Sequence, residues 1–230
     1  MRRSILLEMH TTIAEFVRTT VLIIAALFPI VNPLCSAPIF LTMTRGCSPE
    51  TRRSLALKIA LNGLLLLAGS IFFGTNILDF FGISIPVVQV GGGMVVIASG
   101  WSLLNRGEDD ERRDEEASGS AAAVAQRAFY PLTLPLTVGP GSISVAITVG
   151  ANRPPASETR WAYLTAAILG VVVVAITIYL SYRFAEVIAR VLGEAAMNVI
   201  LRLSSFILVC IGVQIAWNGV STLLHSVLGH

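Results

Sequence analysis

Residues 29–38 read PIVNPLCSAP, and residues 131–140 read PLTLPLTVGP. The three prolines of the first stretch recur in the second at a constant offset of 102 residues, so six of the ten prolines in the chain belong to one duplicated pattern. Proline has no backbone N–H and clashes with the carbonyl four residues before it, so three prolines within ten residues interrupt a helix. Each stretch therefore predicts a break in an otherwise helical segment.

Both stretches lie inside long runs that contain no charged residue. The chain of 230 residues is 54% apolar and 13% charged, with a mean hydropathy of +0.77, which is too apolar for a water-facing domain. A helix rises about 1.5 Å per residue and the hydrocarbon core is about 30 Å thick, so about 20 apolar residues span a bilayer. The sequence predicts an all-α membrane protein with six transmembrane helices, one for each uncharged run of 20 to 28 residues: 19–44, 59–78, 80–105, 128–152, 161–182 and 203–230.

Composition excludes several other classes. A transmembrane β-barrel would alternate apolar and polar residues, and residues 64–67 (LLLL) and 171–174 (VVVV) do not. The net charge of +2 comes from dispersed basic residues, so no nucleic-acid partner is predicted. The three cysteines form no CxxC pair, and we predict no metal site and no cofactor beyond a possible coupling proton or sodium ion.

The basic residues predict the orientation in the membrane. If the spans alternate, the loops after spans one, three and five carry eleven of the 16 Lys and Arg residues, and the other side carries five. Short loops rich in Lys and Arg stay cytoplasmic. The sequence therefore predicts a multi-pass membrane protein with both termini outside the cytoplasm.

The chain divides into two similar halves around its most polar segment. We predict an N-terminal three-span repeat (1–104), a polar cytoplasmic linker (105–120) and a C-terminal three-span repeat (121–230). Beyond the prolines, residues 50–52 (ETR) match 158–160, and Gly82 and Gly100 match Gly193 and Gly212. Because three spans are an odd number, the second repeat enters the membrane from the opposite face, which is an inverted-topology repeat.

The two predicted breaks, in spans one and four, define the candidate binding site. Discontinuous helices near the membrane midplane leave carbonyls, amides and helix ends available for a ligand. Positive helix ends suit a carboxylate and carbonyls suit an ammonium group, so a small zwitterion needs no buried charged side chain. The alternative is that the prolines only kink two packed helices. The predicted substrate-binding residues are Asn32, Pro33, Ser36, Pro38, Pro135, Thr137, Gly139, Pro140, Gly141 and Ser142.

Three charged residues are candidates for coupling. Asp79, between spans two and three, is a candidate for a proton or sodium relay, with simple exposure at a helix end as the alternative. Arg127 precedes span four and Arg202 lies at the mouth of span six. Either could meet a substrate carboxylate, and snorkelling to the interface is the ordinary role for each.

The sequence does not predict an enzyme. A serine nucleophile at Ser142 needs a base, and the only histidines, His10, His225 and His230, lie near the chain ends. Asp79 is the only aspartate outside the linker, which excludes a two-aspartate protease.

Two further features of the apolar runs concern helix packing. The glycines at 91–93 lack the Lys-Ser/Thr of a phosphate loop, so close packing of span three is predicted, with Gly93 and Gly100 on one face. Gln214 and Asn218 share a face of span six. Amides in lipid seek partners, so they are predicted first as interhelical hydrogen-bonding residues and second as pocket residues.

These motifs resemble the MarC family of bacterial inner-membrane proteins, also called the neutral amino acid transporter family. The resemblance is carried by residues 32–44 (NPLCSAPIFLTMT), 80–86 (FFGISIP), 131–144 (PLTLPLTVGPGSIS) and 202–219 (RLSSFILVCIGVQIAWNG) and covers nearly the whole chain from Val21. It implies a six-span protein of the bacterial plasma membrane, or inner membrane, related to small amino-acid exporters, with substrates such as glycine and alanine. In that membrane the termini predicted to lie outside the cytoplasm are in the periplasm. The family usually has Gly where this chain has Cys35-Ser36-Ala37, a difference that affects pocket size and substrate.

The sequence as a whole predicts a secondary transporter for small neutral amino acids of the glycine, alanine, serine and threonine class. It would work by alternating access, one half moving against the other around the site. A channel and a non-transporting membrane scaffold or assembly protein are the two alternatives. The direction of transport and the oligomeric state are left open.

Overall fold

The computed structural model describes residues 2–44, 46–105, 128–134, 136–152 and 157–228. This part of the chain is all-helical. The predicted linker 105–120 lies outside it except for Asn105. The elements are α1 (Arg2–Val31), α2 (Pro33–Met43), α3 (Pro49–Phe81), α4 (Ile85–Leu104), a π turn (Ala128–Thr133), α5 (Pro140–Ala151), α6 (Ser157–Arg183) and α7 (Ala185–Leu228).

Within the described residues, four segments are long and apolar enough to cross a membrane. They are Pro49–Phe81, Ile85–Leu104, Trp161–Arg183 and Asn198–Leu228, and they overlap most of the uncharged runs predicted as spans two, three, five and six. α5 is a shorter apolar helix. Predicted spans one and four are divided among α1, α2, the π turn and α5 instead of forming single uninterrupted helices.

The first helix interruption lies at Asn32. α1 ends at Val31, α2 begins at Pro33, and Asn32 has a φ of 45°, in the left-handed region. The ring of Pro33 disfavours the helical conformation at the residue before it, and asparagine is among the few residues that accept left-handed backbone. The chain therefore breaks its helix at the residue where the break costs least.

The second interruption extends from the π turn to Gly139. Tyr130 has extended backbone angles (φ −126°, ψ 126°) inside the turn, and Gly139 is extended before α5 (φ −91°, ψ 175°). Pro140 then occupies the first turn of α5, where its missing N–H removes no helical hydrogen bond.

One helix of each half, α3 and α6, forms the frame around the interruptions. α3 packs against α5, α6 and the π turn, while α6 also packs against α1 and α2. Fully buried aliphatic side chains fill this centre, among them Leu67 and Ile71 of α3 and Val171, Val174 and Ile178 of α6.

α4 and α7 form the most extensive helix pair of the fold, and glycines allow their close approach. A Cβ at Gly93 would lie 2.6 Å from the backbone nitrogen of Ala216, and one at Gly212 would lie 2.7 Å from the backbone nitrogen of Ile97. A Cβ at Gly100 would lie 3.0 Å from the Ser205 carbonyl oxygen. The predicted packing role of Gly93 and Gly100 is confirmed.

Candidate functional site

The two interruptions meet through a hydrogen bond between the halves. The Ser36 hydroxyl in α2 lies 3.4 Å from the Leu136 carbonyl oxygen and 3.3 Å from the Asn32 carbonyl oxygen of its own segment. Leu136 lies four residues before Pro140, whose missing N–H cannot occupy that carbonyl. Proline chemistry in one half therefore leaves an acceptor that a side chain of the other half uses.

A second buried contact connects the interruption to α6. The Thr137 Oγ1 lies 2.7 Å from the Tyr182 phenol oxygen and 2.7 Å from the Leu132 carbonyl oxygen. A hydroxyl has one hydrogen, so when Thr137 donates to Leu132 the phenol of Tyr182 donates to Thr137. Both side chains are buried, at 2% exposed each, so this contact lies away from solvent and lipid.

Tyr182 also joins the two halves by an aromatic contact. Its ring stacks on Phe40 of α2 with centroids 4.6 Å apart and an interplanar angle of 5°. Ser36 lies one helical turn before Phe40 in α2, on the same face. Ser36, Thr137 and Tyr182 therefore form a hydroxyl cluster where α2, the second interruption and α6 converge.

The π turn is held by the same kind of hydroxyl bond. The Thr133 Oγ1 donates to the Ala128 carbonyl oxygen at 2.7 Å, five residues earlier, as Thr137 does to Leu132. The Asn62 side-chain nitrogen of α3 lies 3.4 Å from the Thr133 Oγ1. These bonds satisfy irregular backbone within an apolar bundle, which a membrane protein requires.

The start of α5 faces α4 instead of the hydroxyl cluster. A Cβ at Gly141 would collide with Val96, and the buried Ser142 donates to the Gly139 carbonyl oxygen at 2.9 Å. The Ser144 hydroxyl reaches the Val88 carbonyl oxygen at 3.0 Å. This approach is possible because Gly92, beside Ser144, has no side chain.

The remaining predicted residues are placed as follows. Asn32 and Pro38 are half-buried, Pro33 is buried, Gly139 is half-buried and Pro140 is exposed. Pro135 and Arg127 lie outside the described residues.

The other coupling candidates are exposed. Asp79 lies in the last turn of α3, where its carbonyl accepts the N–H of Gly82, and Arg202 lies on the surface of α7. Neither side chain has a hydrogen bond to the hydroxyl cluster in the described part of the chain. Across that part, no group of three or more His, Cys, Asp and Glu residues is arranged to hold a metal ion.

Sequence reasoning missed Tyr182, Phe40 and Asn62. Asn62 had a recognisable signal, because an asparagine among leucines in a transmembrane run needs a hydrogen-bonding partner. Tyr182 had none, since it ends its uncharged run beside Arg183 and resembles an interfacial tyrosine.

The chemistry available at this site is uncharged. Buried hydroxyls and carbonyls surround the interruptions, and every buried side-chain nitrogen or oxygen in the described residues has a partner. Such groups can bind the carboxylate and the ammonium of a small polar ligand by exchanging hydrogen bonds. They do not include a carboxylate, histidine or amine that could act as a general acid or base near neutral pH.

The apolar helices and the breaks within the bundle define an integral membrane protein with discontinuous helices. The family model described as "MarC family integral membrane protein" matches residues 17–224. The chain belongs to the MarC family.

Relatives support the same assignment. The UPF0056 inner membrane protein MarC of Escherichia coli O1:K1 / APEC is 29% identical over 208 residues, which cover 88% of this chain and 94% of the relative. The protein of the same name from Escherichia coli strain K12 is 28% identical over the same shares. No solved structure matches the chain.

Proposed function

We propose that this chain is a secondary transporter for small neutral amino acids of the glycine, alanine, serine and threonine class. Its substrate would bind between the two helix interruptions and cross the membrane by alternating access. The observation that carries the proposal is the contact between the interruptions, through Ser36 and Leu136, beside the buried pair Thr137 and Tyr182. Irregular backbone from two segments meeting inside a bundle is typical of transporter sites at the midplane.

The proposal includes six spans arranged as two inverted repeats, and the packing partners support it. If α2 corresponds to α5, α3 to α6 and α4 to α7, then the contact of α3 with α5 corresponds to that of α6 with α2. The contact of α4 with α5 likewise corresponds to that of α7 with α2. Two further contacts between the halves each join a helix to its own equivalent. They are the contact of α3 with α6 and the contact of α4 with α7.

Two glycines aligned by the repeat support it further. Gly82, at the end of α3, has a φ of 65° and a ψ of 25°, whereas Gly193, inside α7, has a φ of 72° and a ψ of 166°, so this pair shares only a positive φ. Gly100 and Gly212, the other aligned pair, both lie in the α4–α7 interface. The place of Gly100 and Gly212 in one shared interface is what a duplicated ancestor would leave.

The remaining parts of the proposal follow from charge. Both termini would be periplasmic, because the loops after spans one, three and five hold most of the basic residues. The driving force would be a proton or sodium gradient or the gradient of the substrate itself. Asp79, Arg127 and Arg202 are the charged candidates for coupling.

The test is transport by the purified protein in proteoliposomes. Labelled glycine, alanine, serine and threonine are offered with and without imposed proton and sodium gradients. A carrier gives saturable uptake that is accelerated by unlabelled substrate inside the vesicle, whereas a channel gives no such acceleration. Absence of flux for the whole panel would reject the proposal and favour a non-transporting membrane protein.

Two variants locate the site within that assay. Ser36→Ala and Thr137→Val remove hydroxyls at the contact of the interruptions and should raise the KM for exchange. Ser99→Ala is the matched control, because its exposed hydroxyl bonds only to the Val95 carbonyl of its own helix. Exchange with unchanged KM in both site variants would place the substrate elsewhere.

A further inference from the structure

α7 carries a polar face in the middle of an apolar segment. Cys210, Gln214, Asn218 and Thr222 recur every four residues and are all exposed; we name them the amide face. The segment Asn198–Leu228 is only 17% buried over its most apolar window, against 44% for Trp161–Arg183. The amide face therefore lies on one of the two least covered candidate spans in the described residues.

The two amides use only part of their hydrogen-bonding capacity. The Gln214 side-chain nitrogen donates to the Asn218 Oδ1 at 2.9 Å. An amide offers two N–H donors and two acceptor lone pairs. Within the described residues, the Asn218 nitrogen and the Gln214 oxygen have no side-chain partner beyond this pair.

The position of the amides along the candidate span predicts that they lie below the hydrated membrane surface. The midpoint of Asn198–Leu228 is residue 213. At a rise of about 1.5 Å per residue, Gln214 lies about 1.5 Å and Asn218 about 7.5 Å from it along the helix. Both distances are within the half-thickness of the hydrocarbon core, about 15 Å, where lipid offers no hydrogen bond.

The amide face is also free of the contact with α4. Gly212 and Gly219 face α4, where a Cβ would meet Ile97 and Pro86. Successive residues of a helix are about 100° apart, so Gln214 points about 200° away from Gly212. A partner can pack on the amide face without displacing α4.

We propose that a second copy of this chain covers the amide face, with α7 packed against α7 in a symmetric dimer. A two-fold axis brings the same amides of both copies together, and each amide supplies both a donor and an acceptor. The exposed Val213 and Trp217 on adjacent positions add apolar area to the contact. The proposal does not depend on the transported substrate.

The experiment is cross-linking in native membranes at Cys210, which already lies on the amide face. The background variant Cys35→Ser/Cys47→Ser leaves Cys210 as the only thiol. A short bis-maleimide should yield a covalent dimer. Leu65→Cys in a background that also carries Cys210→Ser is the control, since Leu65 is 69% exposed on the apolar surface of α3 and should not cross-link.

The amides themselves are tested by Gln214→Leu/Asn218→Leu. Losing a single interhelical hydrogen bond in a membrane weakens association by about 3- to 16-fold, and the two-fold axis doubles each loss, so the double variant should weaken dimerisation by at least about 3-fold. Ser99→Leu on the exposed surface of α4 is the matched polar-to-apolar control and should leave the dimer unchanged. Dimer fraction is measured by single-molecule photobleaching in vesicles at several protein densities.

Two results would overturn the proposal. One is a monomeric protein at all densities with no Cys210 cross-link. The other is rapid labelling of Cys210 by a membrane-impermeant maleimide without cross-linking, which would place the amide face on an aqueous pathway instead.

Discussion

Replacing Gly93 by alanine tests the contact between α4 and α7 directly. The new Cβ would lie 2.6 Å from the Ala216 backbone nitrogen and 2.7 Å from the Gly212 carbonyl oxygen. Both are backbone atoms, so no rotamer change relieves the clash and the helices must separate to reach ordinary contact distances of about 3.5–4 Å. Overpacking of this kind costs about 1–3 kcal/mol.

Gly91→Ala, two residues earlier on the same helix, is the matched control. No atom lies within 4 Å of a Cβ at Gly91. Alanine there should stabilise the helix by about 0.5–1 kcal/mol, because glycine loses more backbone entropy on folding. The two variants should therefore differ by about 1.5–4 kcal/mol in free energy of unfolding, measured by steric trapping or reversible denaturation in micelles.

The double variant Gly93→Ala/Gly212→Ala sharpens the test. A single separation of α4 and α7 relieves both clashes, so the combined cost should be less than the sum of the single costs. Equal stability of the Gly91 and Gly93 variants, or simple additivity of Gly93 and Gly212, would refute this packing of α4 on α7.

Three further predictions concern single contacts. Tyr182→Phe keeps the ring stacked on Phe40 and removes the hydrogen bond to Thr137, so the free energy of unfolding should fall by only about 0.5–1.5 kcal/mol. A larger fall would show that the phenol makes contacts beyond this bond. Asn32→Val should lower the free energy of unfolding by about 1–2 kcal/mol in the same assay, because a β-branched residue is strained at a φ of 45°. Asn32→Gly should be nearly neutral, and equal effects of the two variants would contradict the left-handed backbone at this residue. Arg52 in the first turn of α3 and Glu186 in the first turn of α7 form an ion pair. A double-mutant cycle of Arg52→Ala and Glu186→Ala should give a coupling of at most about 1 kcal/mol, since Glu186 is 54% exposed; a larger coupling would contradict a solvent-screened pair.

The helix interruptions were predictable because proline acts through its own covalent structure. The missing N–H and the ring clash follow from the residue alone, so the three prolines were enough to predict a break within the stretch. Only Pro33 marks the break, whereas Pro29 lies inside α1 and Pro38 inside α2, which the sequence did not indicate. The sequence did not indicate that Asn32 would take the left-handed conformation, which depends on how α1 and α2 must be directed to pack. Break position was a local property, and break direction was not.

The partners within the site were beyond the sequence for a similar reason. Ser36 and Thr137 were predicted to lie together, but Tyr182 joins them only because α6 places the end of its apolar run beside α2. Gly141 was predicted at the site and instead faces α4, since a helix presents successive residues to different neighbours. Pattern identifies which residues need partners, and tertiary packing decides which partners they receive.

The relative strength of the contacts at the interruptions bears on how a ligand would act. The bond between Thr137 and Tyr182, at 2.7 Å, is short, buried and formed within the second half, while the bond from Ser36 to Leu136, at 3.4 Å, is long and joins the two halves. Under the proposed transport function, a ligand that competes for hydrogen bonds displaces the longer bond first. A stretched hydrogen bond is weaker than a short, well-aligned one, so breaking it costs less free energy. Substrate binding would then release one hydrogen bond between the halves, while the bonds within each half and the more extensive α4–α7 contact remain. Alternating access requires that each half keeps its own bonds, so the ligand should act on contacts between the halves, and the bond from Ser36 to Leu136 is such a contact at the proposed site.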